Sequence, residues 1–340
     1  MLRSAAAAPD SPTGDPMKAI AQDRYGPPDV LELRDVAKPA PGDNEVLVRV
    51  HAAAVNALDW HYMRGDPYLA RLSMGLRRPK VTIRGKDFAG HVEALGPGVD
   101  RFRLGDEVFG EADGAFAEYV SAPDDAVDPK PANLTFEQAA TVPLAGSTAL
   151  MGLRDAAPVQ PGQRVLINGA SGGVGTFAVQ IGKSLGAEVT GVCSARNADL
   201  VRSIGADHVI DYASEDFSRN GQQYDVVFDL VGNRSLSDCR RALTPEGTLV
   251  LSGGGVSEGG SFIGPLALFA TSMVLSRFVH QRLLQLTEQP HRENLAALRE
   301  LVESGAVTPV IDRTYPLSDA PEAIRYLEVE HARAKVVITI

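Results

Sequence analysis

Cysteine is scarce in this chain: Cys193 and Cys239 are the only two among 340 residues. Neither belongs to a C-x-x-C pair, so a structural zinc lobe and a disulfide framework are both excluded, and a reducing, cytoplasmic compartment is expected. Positive charge is in deficit as well. With 33 Lys and Arg against 43 Asp and Glu the formal charge is −10, which leaves no electrostatic footprint for nucleic acid or for a membrane surface. Long apolar runs are missing: the longest, Ile263 to Leu275, stops at Ser276-Arg277 and is too short to cross a bilayer. Residues 1–16 hold Ala5 to Ala8, then Pro, Asp, Ser and Gly, with a single Arg. They are expected to be a disordered extension ahead of Met17 and not a signal peptide.

The length exceeds one typical domain, so two are expected, each with its own core. From Met17 short strands alternate with turn signals: Lys18 to Gln22, Leu31 to Val36, Val46 to Val50, Val92 to Leu95 and Glu107 to Phe109. This pattern implies an all-β, compact, barrel-like unit. At Thr135-Phe136-Glu137-Gln138 a helix start appears, and beyond it strands alternate with helices: Val165 to Ile167, Glu188 to Cys193, His208 to Ile210, Asp225 to Leu230 and Thr248 to Leu251. Such alternation implies an α/β doubly wound parallel sheet. The apolar stretch Ile263 to Val279 is expected to serve ordinary core packing, with a lid or a subunit contact as rivals. An amphipathic helix over Asn294 to Ser304, a helix over Ala320 to Glu328 and a last strand, Lys335 to Ile340, close the chain, and that strand is expected to rejoin the first unit.

The alternation is organised around Arg164 to Gly175, where an apolar strand meets Asn168-Gly169-Ala170-Ser171-Gly172-Gly173-Val174-Gly175 and a helical pattern follows. Glycine suits such a turn because a pyrophosphate reaches the free N–H groups of a helix start only where no Cβ intervenes. The spelling A-x-G-G-x-G is a variant of the dinucleotide fingerprint, and a plain strand–helix connection is its rival. The second strand decides. Where an NAD-binding unit has an acidic residue for the ribose, this chain has Ser194, followed by Ala195 and Arg196. A hydroxyl and a guanidinium hold a 2′-phosphate that a carboxylate would repel, so NADP(H) is expected as cofactor. The rival is a solvated Arg196.

Taken together, Val55-Asn56-Ala57-Leu58-Asp59, Gly85-Lys86-Asp87-Phe88-Ala89-Gly90, Gly105 to Gly110, Ala170 to Gly175 and the ending Ala332-Arg333-Ala334-Lys335-Val336-Val337 resemble the medium-chain dehydrogenase/reductase superfamily. Within it the chain looks like the zinc-independent quinone oxidoreductase branch. This resemblance implies a GroES-like β-rich catalytic domain (residues 17–140 and 300–340), a Rossmann NADP(H)-binding domain (141–299), a site between them and a homodimer. Aligned with the ligand motifs of zinc alcohol dehydrogenases, this chain has Asn56, Lys86 and Leu144. An ammonium and an isobutyl group cannot bind Zn²⁺ and an amide is a poor substitute for thiolate, so no metal is expected. A rearranged set of His51, His61, His91 and Asp87 lacks ligand spacing.

Without a Lewis acid, the resemblance implies hydride transfer to a small electrophilic substrate, a quinone or an α,β-unsaturated carbonyl, whose oxyanion is delocalised. A zinc-free aldehyde or ketone reductase and a non-catalytic NADPH-binding scaffold are the alternatives. By match, Asn56 and Thr148 stand near the reacting atoms, and His61 with Tyr62 stands where many quinone oxidoreductases carry a tyrosine, His61 as candidate proton donor. Ser171, Gly172, Gly173, Val174, Gly175, Ser194, Arg196, Tyr212, Val231 and Lys335 are the cofactor candidates. Lys183, at the end of the first Rossmann helix, is either a phosphate contact or a lysine favouring the helix dipole. Ala334 departs from the family's glycine.

Overall fold

The computed structural model of the protein describes residues 15–252, 266–286, 291–330 and 332–340. Most of the N-terminal extension lies outside them, as do residues 255–264, which by sequence are a candidate wall of the substrate pocket. Strand β1 (Pro16–Ala21) pairs antiparallel with β2 (Glu32–Ala37), so ordered structure begins inside the boundary expected for the extension. The 11-residue β3 (Glu45–Val55) then leads into a helix, α1 (Ala57–Arg64), within a segment expected to be all β. Local chemistry explains it. Asn56 caps the helix in extended conformation, the Asp59 carboxylate accepts from Asn56 N at 2.8 Å, and Gly65 closes the other end at φ 59°.

After the short α2 (Arg71–Met74), strands β4 (Asp87–Leu95), β5 (Glu107–Glu111), β6 (Tyr119–Pro123) and β7 (Val127–Pro129) extend the sheet around β3. Helix α3 (Phe136–Ala140) starts at Thr135, whose Oγ1 accepts from Gln138 N at 3.3 Å while Gln138 Oε1 accepts from Thr135 N at 3.1 Å. Helix α4 (Pro143–Leu150) follows and widens into a π turn over Met151–Ala156.

The second lobe alternates β8 (Arg164–Asn168), α5 (Gly173–Ser184), β9 (Glu188–Cys193), α6 (Ala198–Ser203), β10 (His208–Asp211), β11 (Tyr224–Asp229), α7 (Leu236–Arg241), β12 (Leu243–Leu251), α8 (Leu266–Leu275) and β13 (Arg282–Gln285). Among the described residues its six strands are all parallel, in the order β10-β9-β8-β11-β12-β13. The order reverses between β8 and β11, which opens a crevice at their carboxyl ends.

Helix α9 (Arg292–Glu303), β14 (Ile311–Pro316), α10 (Ala320–Glu330) and β15 (Lys335–Thr339) complete the chain. β15 lies antiparallel to β3, with Val336 opposite Val55, and parallel to β14, so the C-terminus finishes the first sheet. Residue 300, expected as a boundary, falls inside α9.

One apolar core runs from Ala52, Ala89 and Phe109 of the first sheet, through Ala145 and Ala149 of α4, to Ile167 and Phe177 of the second lobe. Phe177, Val179 and Ile181 of α5 are fully buried, each contributing roughly 1.5–3 kcal/mol by leaving water. The glycine turn is thereby fixed against the lobe opposite. The apolar stretch around α8 divides: Leu268, Phe269, Leu275 and Val279 pack on the parallel sheet. Met273, Val274 and Phe278 stand 63%, 62% and 79% exposed, so the expectation of ordinary core packing holds for only one face.

Candidate active site

The turn after β8 is shaped by two glycines with different tasks. Gly169 takes φ 92°, a conformation that favours glycine. A Cβ on Gly175 would stand 2.1 Å from the Gly169 carbonyl oxygen, so the turn itself demands glycine there. At Gly172 the nearest atom to an added Cβ is the Gly169 oxygen at 3.4 Å, which leaves room for an approaching ligand. Gly172 is the N-cap of α5 and no side chain caps that helix, so its first N–H groups and positive dipole end fit a pyrophosphate. Ser171 is held from both sides: its Oγ accepts from Asn197 Nδ2 at 3.0 Å and its carbonyl from Ala334 N at 2.7 Å. Val174 packs on the core below.

Ser194 and Arg196 follow β9, and Tyr212 follows the neighbouring β10. Tyr212 N donates to Cys193 O at 3.2 Å, which gathers these residues at one edge of the crevice with the Tyr212 ring 53% exposed. Arg196 is exposed and donates from Nη2 to the Glu330 carbonyl at 2.8 Å, tying this edge to the end of α10. Lys183 is elsewhere. Its ammonium reaches Asp207 at 2.7 Å and the Ala187 carbonyl at 3.1 Å, so it holds the far end of α5 and takes no part in a phosphate site. Val231 lies at the strand-order switch, where a Cβ on Gly169 would meet its Cγ2 at 2.8 Å. Asp229, which no sequence pattern marks, keeps it there: its Oδ1 accepts from Val231 N (3.1 Å), Gly232 N (3.0 Å) and Asn168 Nδ2 (2.8 Å).

Opposite the turn, Lys335 and Asp87 open β15 and β4 and Asn56 directly follows β3, the strand between them; the three are exposed by only 1%, 0% and 6%. Lys335 Nζ donates to Asn56 Oδ1 at 2.6 Å and lies 3.4 Å from Asp87 Oδ2. Asn56 Nδ2 donates to the same Asp87 oxygen at 3.0 Å and, at 3.4 Å, to the Ala54 carbonyl. The other Asp87 oxygen accepts from Leu144 N at 3.1 Å, at the head of α4. Burial pushes the Asp87 carboxyl up, against the pull of the Lys335 ammonium. Beneath Asn56, burial pushes Asp59 up to about 7 despite its hydrogen bond from Asn56 N, and the Asp87 charge adds to the rise. Arg84, 4% exposed, pulls the Asp59 carboxyl the other way, and burial lowers the Arg84 pKa.

The matched residues therefore separate. Lys335, expected at the cofactor, lays its stem on the turn, where a Cβ on Gly173 would meet its Cδ at 3.1 Å, but turns its ammonium to Asn56 and Asp87. Ala334 bridges to Gly172 at φ 56°, which explains why glycine suits this position in the family. Thr148 joins the group through α4, its Oγ1 donating to Leu144 O at 2.7 Å. His61 Nδ1 lies 2.8 Å from the Asp66 carbonyl, so Nδ1 carries the proton and Nε2 is left as acceptor in the neutral ring. The Tyr62 ring centroid lies 6.0 Å from the Arg84 guanidinium. Among the described residues no hydrogen bond joins His61 or Tyr62 to Asn56, Thr148 or Lys335.

The positions matched to zinc ligands offer no ligand set. The Asn56 amide is engaged by Lys335 and Asp87, the Lys86 ammonium is 2.9 Å from Asp113, and Leu144 contributes a backbone N–H. His51 and His91 bond each other at 2.9 Å against Phe136. Among the described residues no three His, Cys, Asp or Glu side chains converge on one point.

Known proteins resemble this chain over nearly its whole length. Residues 42–132 match the alcohol dehydrogenase GroES-like domain, and residues 204–338 match the family described as zinc-binding dehydrogenase. The chain is 33% identical to the mitochondrial NAD(P)H oxidoreductase RTN4IP1 of Bos taurus, over 97% of this chain and 91% of the relative. It is 34% identical to the 2-methylene-furan-3-one reductase of Solanum lycopersicum, over 95% of this chain and 79% of that one. The solved quinone oxidoreductase from Coxiella burnetii superposes with a TM-score of 0.84 at 33% identity, covering 96% of this chain and 100% of that chain.

Proposed function

The chain belongs to the medium-chain dehydrogenase/reductase superfamily, in its quinone-oxidoreductase-like branch, and from that premise we propose that it is a zinc-free, NADPH-dependent reductase of quinones or α,β-unsaturated carbonyls. The observation that carries this reading is the buried Lys335–Asn56–Asp87 group, which includes one position matched to a zinc ligand, Asn56, and is joined through Ala334 to the glycine turn. A nicotinamide bound there supplies hydride.

This chain's own residues do the rest. Ser171, Gly172, Gly173, Val174 and Gly175 would hold the pyrophosphate on the start of α5. Ser194, Arg196 and Tyr212 would receive the adenosine ribose and its 2′-phosphate, and Val231 would line the nicotinamide side. Asn56 and Thr148 would stand by the reacting atoms, and His61, with Tyr62 beside it, is the candidate proton donor. Electron-poor acceptors suit such a site because their oxyanions need hydrogen bonds and fixed charge more than a Lewis acid.

The buried, free cysteines support a reducing, cytoplasmic setting. The exposed Met273, Val274 and Phe278, near the edge strand β13, support a homodimer built on that face. The test is reduced-nicotinamide oxidation, with and without a chelator, against a benzoquinone, a naphthoquinone, an enone, an aldehyde and, in reverse, a secondary alcohol. Chelator-insensitive turnover of quinones or enones with NADPH preferred over NADH is expected. NADPH binding with no turnover across the panel would favour a non-catalytic role, and loss of activity on chelation would end the zinc-free reading.

A further inference from the structure

Lys335 presents a problem that cofactor binding does not solve. Its ammonium is 1% exposed, and taking such a charge out of water costs several kcal/mol even after relaxation. An apolar side chain of the same length would pack on Gly173 equally well, so packing does not account for the charge. Nor is the ammonium aimed at the phosphate turn, since its near contacts are Asn56 Oδ1 and Asp87 Oδ2. An ammonium has three N–H groups. One makes the 2.6 Å bond to Asn56, one is directed at Asp87 across 3.4 Å, and the third has no acceptor among the described residues.

We propose that the Lys335 ammonium, locked between Asn56 and Asp87, is the fixed cation that stabilises the oxyanion formed on the substrate. The inference rests on the reductase reading above and names the group that would do the work of a Lewis acid. Its position suits the task. The residue before it bridges Gly172, its stem lies on Gly173, and its head reaches the end of β3, so it spans the seam between the cofactor turn and the Asn56 side of the cleft. Asp87 is itself held by Leu144 N and Asn56 Nδ2, so the cation is oriented before substrate arrives. When hydride adds to the β-carbon of an enone, the π pair moves to the carbonyl oxygen. The ammonium stabilises that charge while keeping its proton, and the α-carbon takes its proton from His61 or from water. One hydride and one proton are thus added.

The experiment compares full-length wild type with Lys335→Met, the charge-neutral double variant Lys335→Met/Asp87→Asn, and Lys335→Ala. Wild-type turnover of a benzoquinone and an enone is read first, because its absence sinks the reductase reading itself. Given turnover, kcat should fall about 10²-fold in both Met variants, the usual cost of one preorganised oxyanion donor. NADPH affinity, read by fluorescence titration, should stay within about threefold, well under the tenfold worth 1.4 kcal/mol. Added ethylammonium should restore part of kcat to Lys335→Ala. An unchanged kcat in the double variant, which removes both charges and so leaves none buried alone, would overturn the proposal. So would NADPH affinity falling in step with kcat/KM, which assigns Lys335 to the cofactor, or a loss that no amine restores, which makes it a structural lock.

Discussion

At the glycine turn the site depends on atoms that are missing. Gly172 leaves open a helix start whose dipole and N–H groups provide the attraction, and Gly175 lets the turn close on Gly169. Across the seam the strand ends carrying Asn56, Asp87 and Lys335 depend on atoms that are crowded together, opposite charges buried within hydrogen-bonding distance of one amide. A backbone cradle is local and cheap to build, because it needs only a short contiguous segment. The charged cluster draws on residues separated by 31 and 248 positions and is stable only while every member is present.

The largest expected effect falls on the charged side. Asp87→Ala leaves the Lys335 ammonium buried without its counter-ion and should cost about 3–5 kcal/mol of stability, read as a lowered denaturation midpoint. Little change would mean that the ammonium finds water, which would weaken the contrast.

Asp59→Asn tests the same side through pH. The folded carboxyl holds its proton up to about 7, whereas the unfolded one loses it near the ordinary carboxylate value, so the folded state binds more protons in between. Stability is then highest below roughly pH 4 and declines as pH rises toward 7. The variant should escape that decline and gain on wild type by a few kcal/mol across this window, measured as melting temperature against pH; parallel curves would show that Asp59 ionises normally.

On the cradle side, Gly172→Ala should leave melting nearly untouched, because its Cβ meets nothing closer than 3.4 Å. NADPH affinity should still fall by roughly tenfold or more, since each tenfold is 1.4 kcal/mol of lost approach. Equal affinity would place the pyrophosphate elsewhere. The smallest effect concerns selectivity: Arg196→Asp should shift the NADPH/NADH preference by about tenfold toward NADH, comparable to one exposed charge-assisted contact. An unchanged ratio would return Arg196 to its contact with Glu330.

Much of this was legible in the chain before folding. The strand–glycine–helix turn, the parallel alternation and the two-lobe fold class follow from contiguous patterns, because apolar periodicity and missing Cβ atoms act over a few residues. Helix α1 was missed although its signal, Asn56 three residues before Asp59, was present; the short strands around it suggested an all-β unit. Asp87 was seen only as a weak metal candidate and Asp229 not at all, since a carboxylate's role depends on partners that its neighbours in sequence do not reveal.

The sequence by itself determined the strand–glycine–helix turn, the residue types Asn56, Lys86 and Leu144 at the positions matched to zinc ligands, and the branch of the superfamily. Tertiary structure alone decided where Lys335 sends its charge: β15 pairs with β3, and β3 with β4, which brings residues 335, 56 and 87 to one strand end. Local preference sets backbone conformation, but a buried ammonium goes where opposite charge can repay its lost hydration, and only the pairing of distant strands fixes that place.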